Sequence, residues 1–212
     1  MSESVPITRR TEHFTASDGL ELVGDIAVPH APASATIVCH PHPQYGGDRH
    51  NNVVTALFDA LPEAGIAAFR FDFRAEFAGG RGERLDAIAA LDVLAAELPG
   101  TPLVALGYSF GALIALALAD DRVTALGLVA PPLAMVHDVD APRVRTLVLT
   151  PAHDQFSPPV VTEPIVAGWG PIAEHRTIES ADHSLVGHTR SVADQVVRWL
   201  SSPPRKMPES GR

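Results

Sequence analysis

From Leu103 to Ile114 a short apolar run leads into Gly107-Tyr108-Ser109-Phe110-Gly111, and an Ala/Leu-rich run follows without a breaker before Asp120. An apolar run of this length suits a buried strand, and Phe110 to Ala119 suits a buried helix. The join between them must be a sharp turn with Ser109 at its apex and the hydroxyl exposed. Gly107 and Gly111 lack Cβ atoms, so the helix and the neighbouring strands can close in on that turn. A Gly-flanked turn with an inert serine has the same outline. The reading therefore depends on what the rest of the chain supplies.

The remaining pattern gives the turn its setting. His13 to Ser17 and Leu20 to Val28 flank Asp18-Gly19, which predicts an N-terminal antiparallel hairpin. Strand and helix then alternate: a strand over Ala35–His40, a helix over Asn51–Ala64 stopped by Gly65, and a strand over Ile66–Phe73. A helix over Glu83–Leu98 has Leu85, Ile88, Leu91, Ala95 and Leu98 on its apolar side, with Asp86 among the charges on other faces. Further strands are expected over Val123–Ala130 and Arg145–Thr150, a more polar edge strand over Ala173–Ile178, and a closing helix over Thr189–Leu200. This alternation predicts an α/β fold, a mostly parallel sheet with helices on both faces. No insertion is long enough for a lid. One domain is expected over residues 1–202, with a loose proline-containing tail over 203–212.

Composition narrows the function classes. A formal net charge of −9 argues against nucleic acid or an anionic membrane as the main partner. Cys39 is the only cysteine, so no disulfide framework or cysteine-rich zinc site is available, and its apolar strand predicts a buried structural thiol. Met1 to Glu12 lacks the apolar core of a signal peptide, and no run approaches the ~20 apolar residues of a membrane span. The expectation is a soluble cytoplasmic protein without membrane insertion and without a cofactor or metal; the oligomeric state is left open.

A serine hydroxyl is a weak nucleophile that needs a positioned base, and that base needs an orienting carboxylate. The Ser109 turn resembles the nucleophile elbow of α/β-hydrolases, and that resemblance implies the chain order serine, acid, histidine, each at the C-terminal end of a strand. Asp154 follows the strand at 145–150, and His183 lies past the last strand and before the final helix. Ser109, Asp154 and His183 are the predicted catalytic residues. Asp138 and Asp140 lie several residues beyond their strand and read as loop charges, His153 precedes Asp154, and His188 adjoins the final helix. Asp182 is expected to shape the turn that presents His183. The oxyanion formed on attack needs two N–H donors. One is Phe110, after the nucleophile; the other belongs to the loop His40-Pro41-His42-Pro43-Gln44-Tyr45, where the prolines have no N–H and His42 is favoured over Gln44 and Tyr45 by position. A metal site through His40, His42 and His50 is the alternative for that loop.

These stretches carry a resemblance. His40-Pro41-His42-Pro43 with Gly46-Gly47, Arg70-Phe71-Asp72-Phe73-Arg74, the Ser109 turn, Asp154 and Ala181-Asp182-His183 resemble the motifs of small, lidless bacterial α/β-hydrolases. That family is related to dienelactone hydrolases and to esterase and acyl-peptidase domains. The resemblance runs from about Thr36 to Leu200 and implies the same Ser-Asp-His assignment. Two places depart from it: Ala75-Glu76-Phe77 stands where a Gly/Ser-rich loop is usual, and Ser184-Leu185 where an aromatic residue is common. The expected activity is hydrolysis of a small-molecule ester, thioester or small amide through an acyl-enzyme. Acyl transfer, peptide cleavage and a non-catalytic binding module on the same fold are the other readings. For Arg70, Asp72 and Arg74 a structural ion-pair role is expected, with contact between Arg74 and an acidic substrate as the alternative.

Overall fold

A computed structural model describes residues 6–137 and 139–203. Asp138 and most of the expected tail, from residue 204 onward, lie outside the described residues. Eight strands form one sheet: β1 (Ile7–Thr15), β2 (Glu21–Pro29), β3 (Ser34–Cys39), β4 (Ile66–Phe71), β5 (Leu103–Tyr108), β6 (Val123–Val129), β7 (Arg145–His153) and β8 (Ala173–Asp182). Their order is β1-β2-β4-β3-β5-β6-β7-β8. The first hairpin is antiparallel and β2 runs antiparallel to β4, while every later pairing is parallel. Helices α1 (Asn52–Glu63) and α5 (Thr189–Ser201) cover one face; α2 (Arg81–Glu97), α3 (Phe110–Leu116) and α4 (Pro159–Gly168) cover the other. None of the described helices is long and apolar enough to cross a membrane.

The central strands β3 and β5 are buried on both faces, which is why they read as unbroken apolar runs. Leu91 and Leu94 of α2 belong to the same core cluster as Phe69 and Phe71 of the sheet, and Leu57 and Leu61 of α1 share the other cluster with Val196 and Trp199 of α5. Helix α1 begins at Asn51, whose side chain accepts the Val53 N–H at 3.0 Å. At the other end of the chain, Arg145 lies over the Trp199 ring at 4.2 Å and donates to the carbonyls of Trp199 and Ser202. That cation holds the last turn of α5, where carbonyls lack helical partners. Cys39 is fully buried, and burial pushes its thiol far up, away from the reactive thiolate.

The structure departs from the sequence reading in three places. β1 starts at Ile7 rather than His13, because its polar first half is an edge strand whose Arg9 and Arg10 pair with Asp59, Glu12 and Glu97. Helix α4 has no counterpart in the expected pattern: Pro159 and Pro164 both fall inside it, and its buried side is only Thr162 and Val166. Helix α2 turns a different side to the core: Ala87, Ala90, Leu91 and Leu94, together with Asp86 and Glu83. Asp86 is buried because Arg74 meets it at 2.7 Å, and Glu83 is buried because it accepts the Ala78 and Gly80 N–H groups that open the helix.

The stretch after β4 is fixed by ion pairs. Arg70 meets Asp25 at 3.0 Å and lies over the Phe58 ring, Arg49 meets Asp72, and Arg74 meets both Asp86 and Asp18. Arg74 is thereby committed to the structural role, which leaves it no free fork for a substrate.

Candidate active site

β5 ends at Tyr108 and α3 begins at Phe110, so Ser109 alone makes the turn, at φ 54° and ψ −118°. A non-glycine residue at positive φ costs on the order of 1–3 kcal/mol and persists only when its surroundings enforce it. Here the Ser109 N–H donates to Val129 O at 2.9 Å, and its carbonyl accepts from Ala112 N–H at 3.0 Å. The two flanking glycines are needed for closeness. A Cβ on Gly107 would strike the Gly111 carbonyl, and one on Gly111 would strike the carbonyl oxygens of Cys39 and His40. The turn is thus pressed directly against the end of β3.

Two loops bring the partners. β7 runs to His153 and delivers Asp154, which is buried. One carboxylate oxygen accepts the Phe156 and Ser157 N–H groups at 2.8 and 3.1 Å; the other faces His183 Nδ1 at 2.9 Å. His183 Nε2 lies 2.9 Å from Ser109 Oγ. The register of β7 and β8 shifts between Pro151 and His153, with Ser180 at φ 58°, so the bulged end of β8 re-aims the residues that follow. Asp182 then closes the turn: its carboxylate accepts the Ser184 N–H and hydroxyl at 2.9 and 2.6 Å. Those bonds hold the Asp182 carboxyl below its usual range.

Ser109, His183 and Asp154 thus meet in one hydrogen-bonded chain. The two N–H groups expected beside them are also free. In the loop after β3 a 3₁₀ turn, Pro43–Tyr45, uses the Gln44 N–H on His42 Nδ1 and the Tyr45 N–H on His42 O. Among the described residues the His42 N–H has no such acceptor, and the Phe110 N–H stands at the open start of α3. The His42 and Phe110 rings are 4.7 Å apart.

Solved structures share this arrangement of strands and helices. An α/β serine hydrolase without lid from Xanthomonas campestris superposes with a TM-score of 0.80 at 27% identity, covering 94% of this chain and 98% of that one. The chain has the α/β-hydrolase fold, without a lid. An α/β serine hydrolase homologue from Coxiella burnetii gives a TM-score of 0.80 at 28% identity, over 91% of this chain and 97% of that one. A protein of unknown function from Agrobacterium tumefaciens gives 0.82 at 27%, over 90% and 94%. No family model matches the sequence. Over 121 residues, 53% of the chain, it is 36% identical to an uncharacterized protein of Rickettsia prowazekii, and it spans half the length of that relative.

Within this hydrolase fold the competing residues fall elsewhere. His153, His50 and Asp140 are exposed, and His188 stands before α5 with no capping bond from its side chain. His40 is buried with both ring nitrogens engaged: Nε2 accepts the Phe73 N–H at 2.9 Å, and Nδ1 faces Pro41 O at 2.6 Å. A metal ligand needs a free nitrogen lone pair, so His40 cannot serve as one in this arrangement. Its role is to tie the loop after β3 to the loop after β4.

Burial lowers the His40 pKa. Below the unfolded-chain value of about 6.5, the unfolded chain takes up a proton that the folded His40 refuses. Stability is expected to hold above that pH and to fall as pH drops toward the folded value. His175, also lowered by burial, acts in the same direction. Urea midpoints measured between pH 7.5 and 5.5 should fall in the native chain and fall less in His40→Gln.

Tyr108 is a contributor that the sequence pattern did not single out. Its hydroxyl donates to the His183 carbonyl at 2.6 Å, and burial raises its pKa to about 12, so it stays a donor. The only cue in the sequence is an aromatic beside the serine. The mouth of the site is apolar: Tyr45 and Phe77 are exposed near His42, and Phe156 packs edge-on to His183 at 4.6 Å.

Proposed function

We propose that the protein is a serine hydrolase that cleaves a carboxylic ester or related acyl bond of a small molecule. The single observation that carries this reading is the chain Ser109 Oγ–His183 Nε2–Asp154, with the serine held at positive φ on the turn. Ser109 Oγ attacks the acyl carbonyl as His183 Nε2 takes its proton. Asp154 keeps the Nδ1 proton in place and stabilises the imidazolium. The Phe110 and His42 N–H groups receive the oxyanion, each such donor being worth about 10²–10³ in rate. His183 then returns the proton to the departing alcohol, thiol or amine. Water repeats the sequence on the acyl-enzyme, releasing the acid and regenerating Ser109.

Labelling with a fluorophosphonate, read by intact mass, tests the reading. One adduct is expected on the native chain, none on Ser109→Ala, and slow labelling on His183→Ala. A well-folded native chain that takes no label would leave a hydrolase-fold binding protein instead.

A further inference from the structure

A crevice of about 1140 Å³ runs along α3 from Phe110, the residue after Ser109. It is bounded by the start of α2 and by described residues of the connection between β6 and β7, Val136 and Val139–Val144, which follow a 3₁₀ turn at Leu133–Met135. Its walls include Phe110, Leu113, Ile114, Leu126, Val136 and Val139. A crevice of this size has room for a small molecule, and its apolar walls suit an alkyl chain.

The crevice also carries charge. Elsewhere several arginines are held by carboxylates, Arg74 and Arg122 by two each, and Arg145 by backbone carbonyls. Arg81, Arg84 and Arg143 line the crevice, and among the described residues none of them makes an ion pair. Arg84 Nε is shielded from solvent and has no hydrogen-bond partner. The wall also carries carboxylates: Asp120 is held by Arg122, and Asp121 and Asp140 are exposed, as Arg81 and Arg143 are, while Arg84 is half-buried. In a chain of net charge −9, three arginines without ion-pair partners on one crevice wall offer a place for an anion.

We propose that this crevice binds the acyl half of the substrate, and that the acyl chain ends in a carboxylate read by Arg84 with Arg81 and Arg143. The proposal rests on Ser109 being the nucleophile, since Phe110, the residue after it, forms the near end of the crevice. A Cβ on Gly80 would lie 3.7 Å from Ile114 Cδ1, so the first turn of α2 stands over Ile114. Ile114 is five residues along from Ser109, roughly 7.5 Å at 1.5 Å per residue. The carbonyl carbon at Ser109 and the far carboxylate are therefore separated by a chain of intermediate length, with its methylenes on the apolar wall. The planar guanidinium fork suits a carboxylate acceptor.

The test uses the full chain carrying Ser109→Ala, so that ligands bind without turnover. Monoethyl esters of straight-chain diacids, from succinate to suberate, are compared by calorimetry with ethyl alkanoates of equal length. At one chain length the carboxylate ligand is expected to bind at least about tenfold tighter. Adding Arg84→Gln or Arg143→Gln, with folding verified by circular dichroism, should erase most of that preference, and raising the salt should weaken it. No preference at any length, or a preference that survives both replacements, overturns the proposal. Because no turnover is needed, the outcome is separate from the fluorophosphonate result. A native chain that takes no label but keeps the preference would lose its assigned chemistry and retain the anion-reading crevice.

Discussion

Asp154→Asn is expected to lower kcat/KM on an activated ester by about 10⁴-fold while the chain stays folded. The reason lies in the two N–H groups that already point at this side chain. Phe156 and Ser157 both donate to the same carboxylate oxygen, so an asparagine must place its carbonyl oxygen there. Its amide nitrogen then faces His183 Nδ1, where Asp154 accepts in the native chain. That nitrogen donates, which obliges Nδ1 to accept and moves the imidazole proton to Nε2. The ring would present a donor to Ser109 instead of a base. Steady-state kinetics against a melting curve checks this: lost activity with an unchanged melting temperature fits, and activity within tenfold of native would remove Asp154 from the mechanism.

Asp86→Ala should be the most damaging single replacement for stability among those considered, at roughly 3–5 kcal/mol. Asp86 is fully buried and accepts from the Arg74 backbone N–H at 2.9 Å as well as from its guanidinium. Removing the carboxylate leaves a guanidinium that is 12% exposed with only the partly exposed Asp18 for company. It also frees the Arg74 N–H at the point where the chain leaves β4. Asp18 offsets part of the loss, which places the expected value toward the lower end of that range. Asp86→Asn keeps an acceptor for the backbone N–H and should cost less. Urea unfolding measures both, and a loss below about 1 kcal/mol for the alanine variant would mean that the pair behaves like an exposed one.

The sheet was legible because its strands obey two simple patterns: apolar runs in the middle and an Asp18-Gly19 hairpin at the edge. The meeting of Ser109, Asp154 and His183 was legible too, since chain order and strand ends place each of them. His40, by contrast, carries no sign in the sequence that its ring joins two loops. Nor does Asp86, which helical periodicity puts among solvent charges; only Arg74, arriving from a different element, makes its burial tolerable. Helix α4 was hidden by its prolines, which local propensity counts as breakers, although Pro159 occupies a first-turn position that tolerates it. The crevice had no signal at all. It borders the connection between β6 and β7, which offered no periodicity to detect.

That connection separates two kinds of change that most enzymes cannot keep apart. Its ends are anchored by the parallel register of β6 and β7, while the serine is positioned from β3, β5, the Val129 carbonyl at the end of β6 and the first turn of α3. Among the described residues, those from Met135 to Arg143 make no hydrogen bond to Ser109, His183 or Asp154. The molecule is therefore laid out for divergence: a lineage, or a designer, can edit one surface segment beside α3 while Ser109, His183 and Asp154 keep their places.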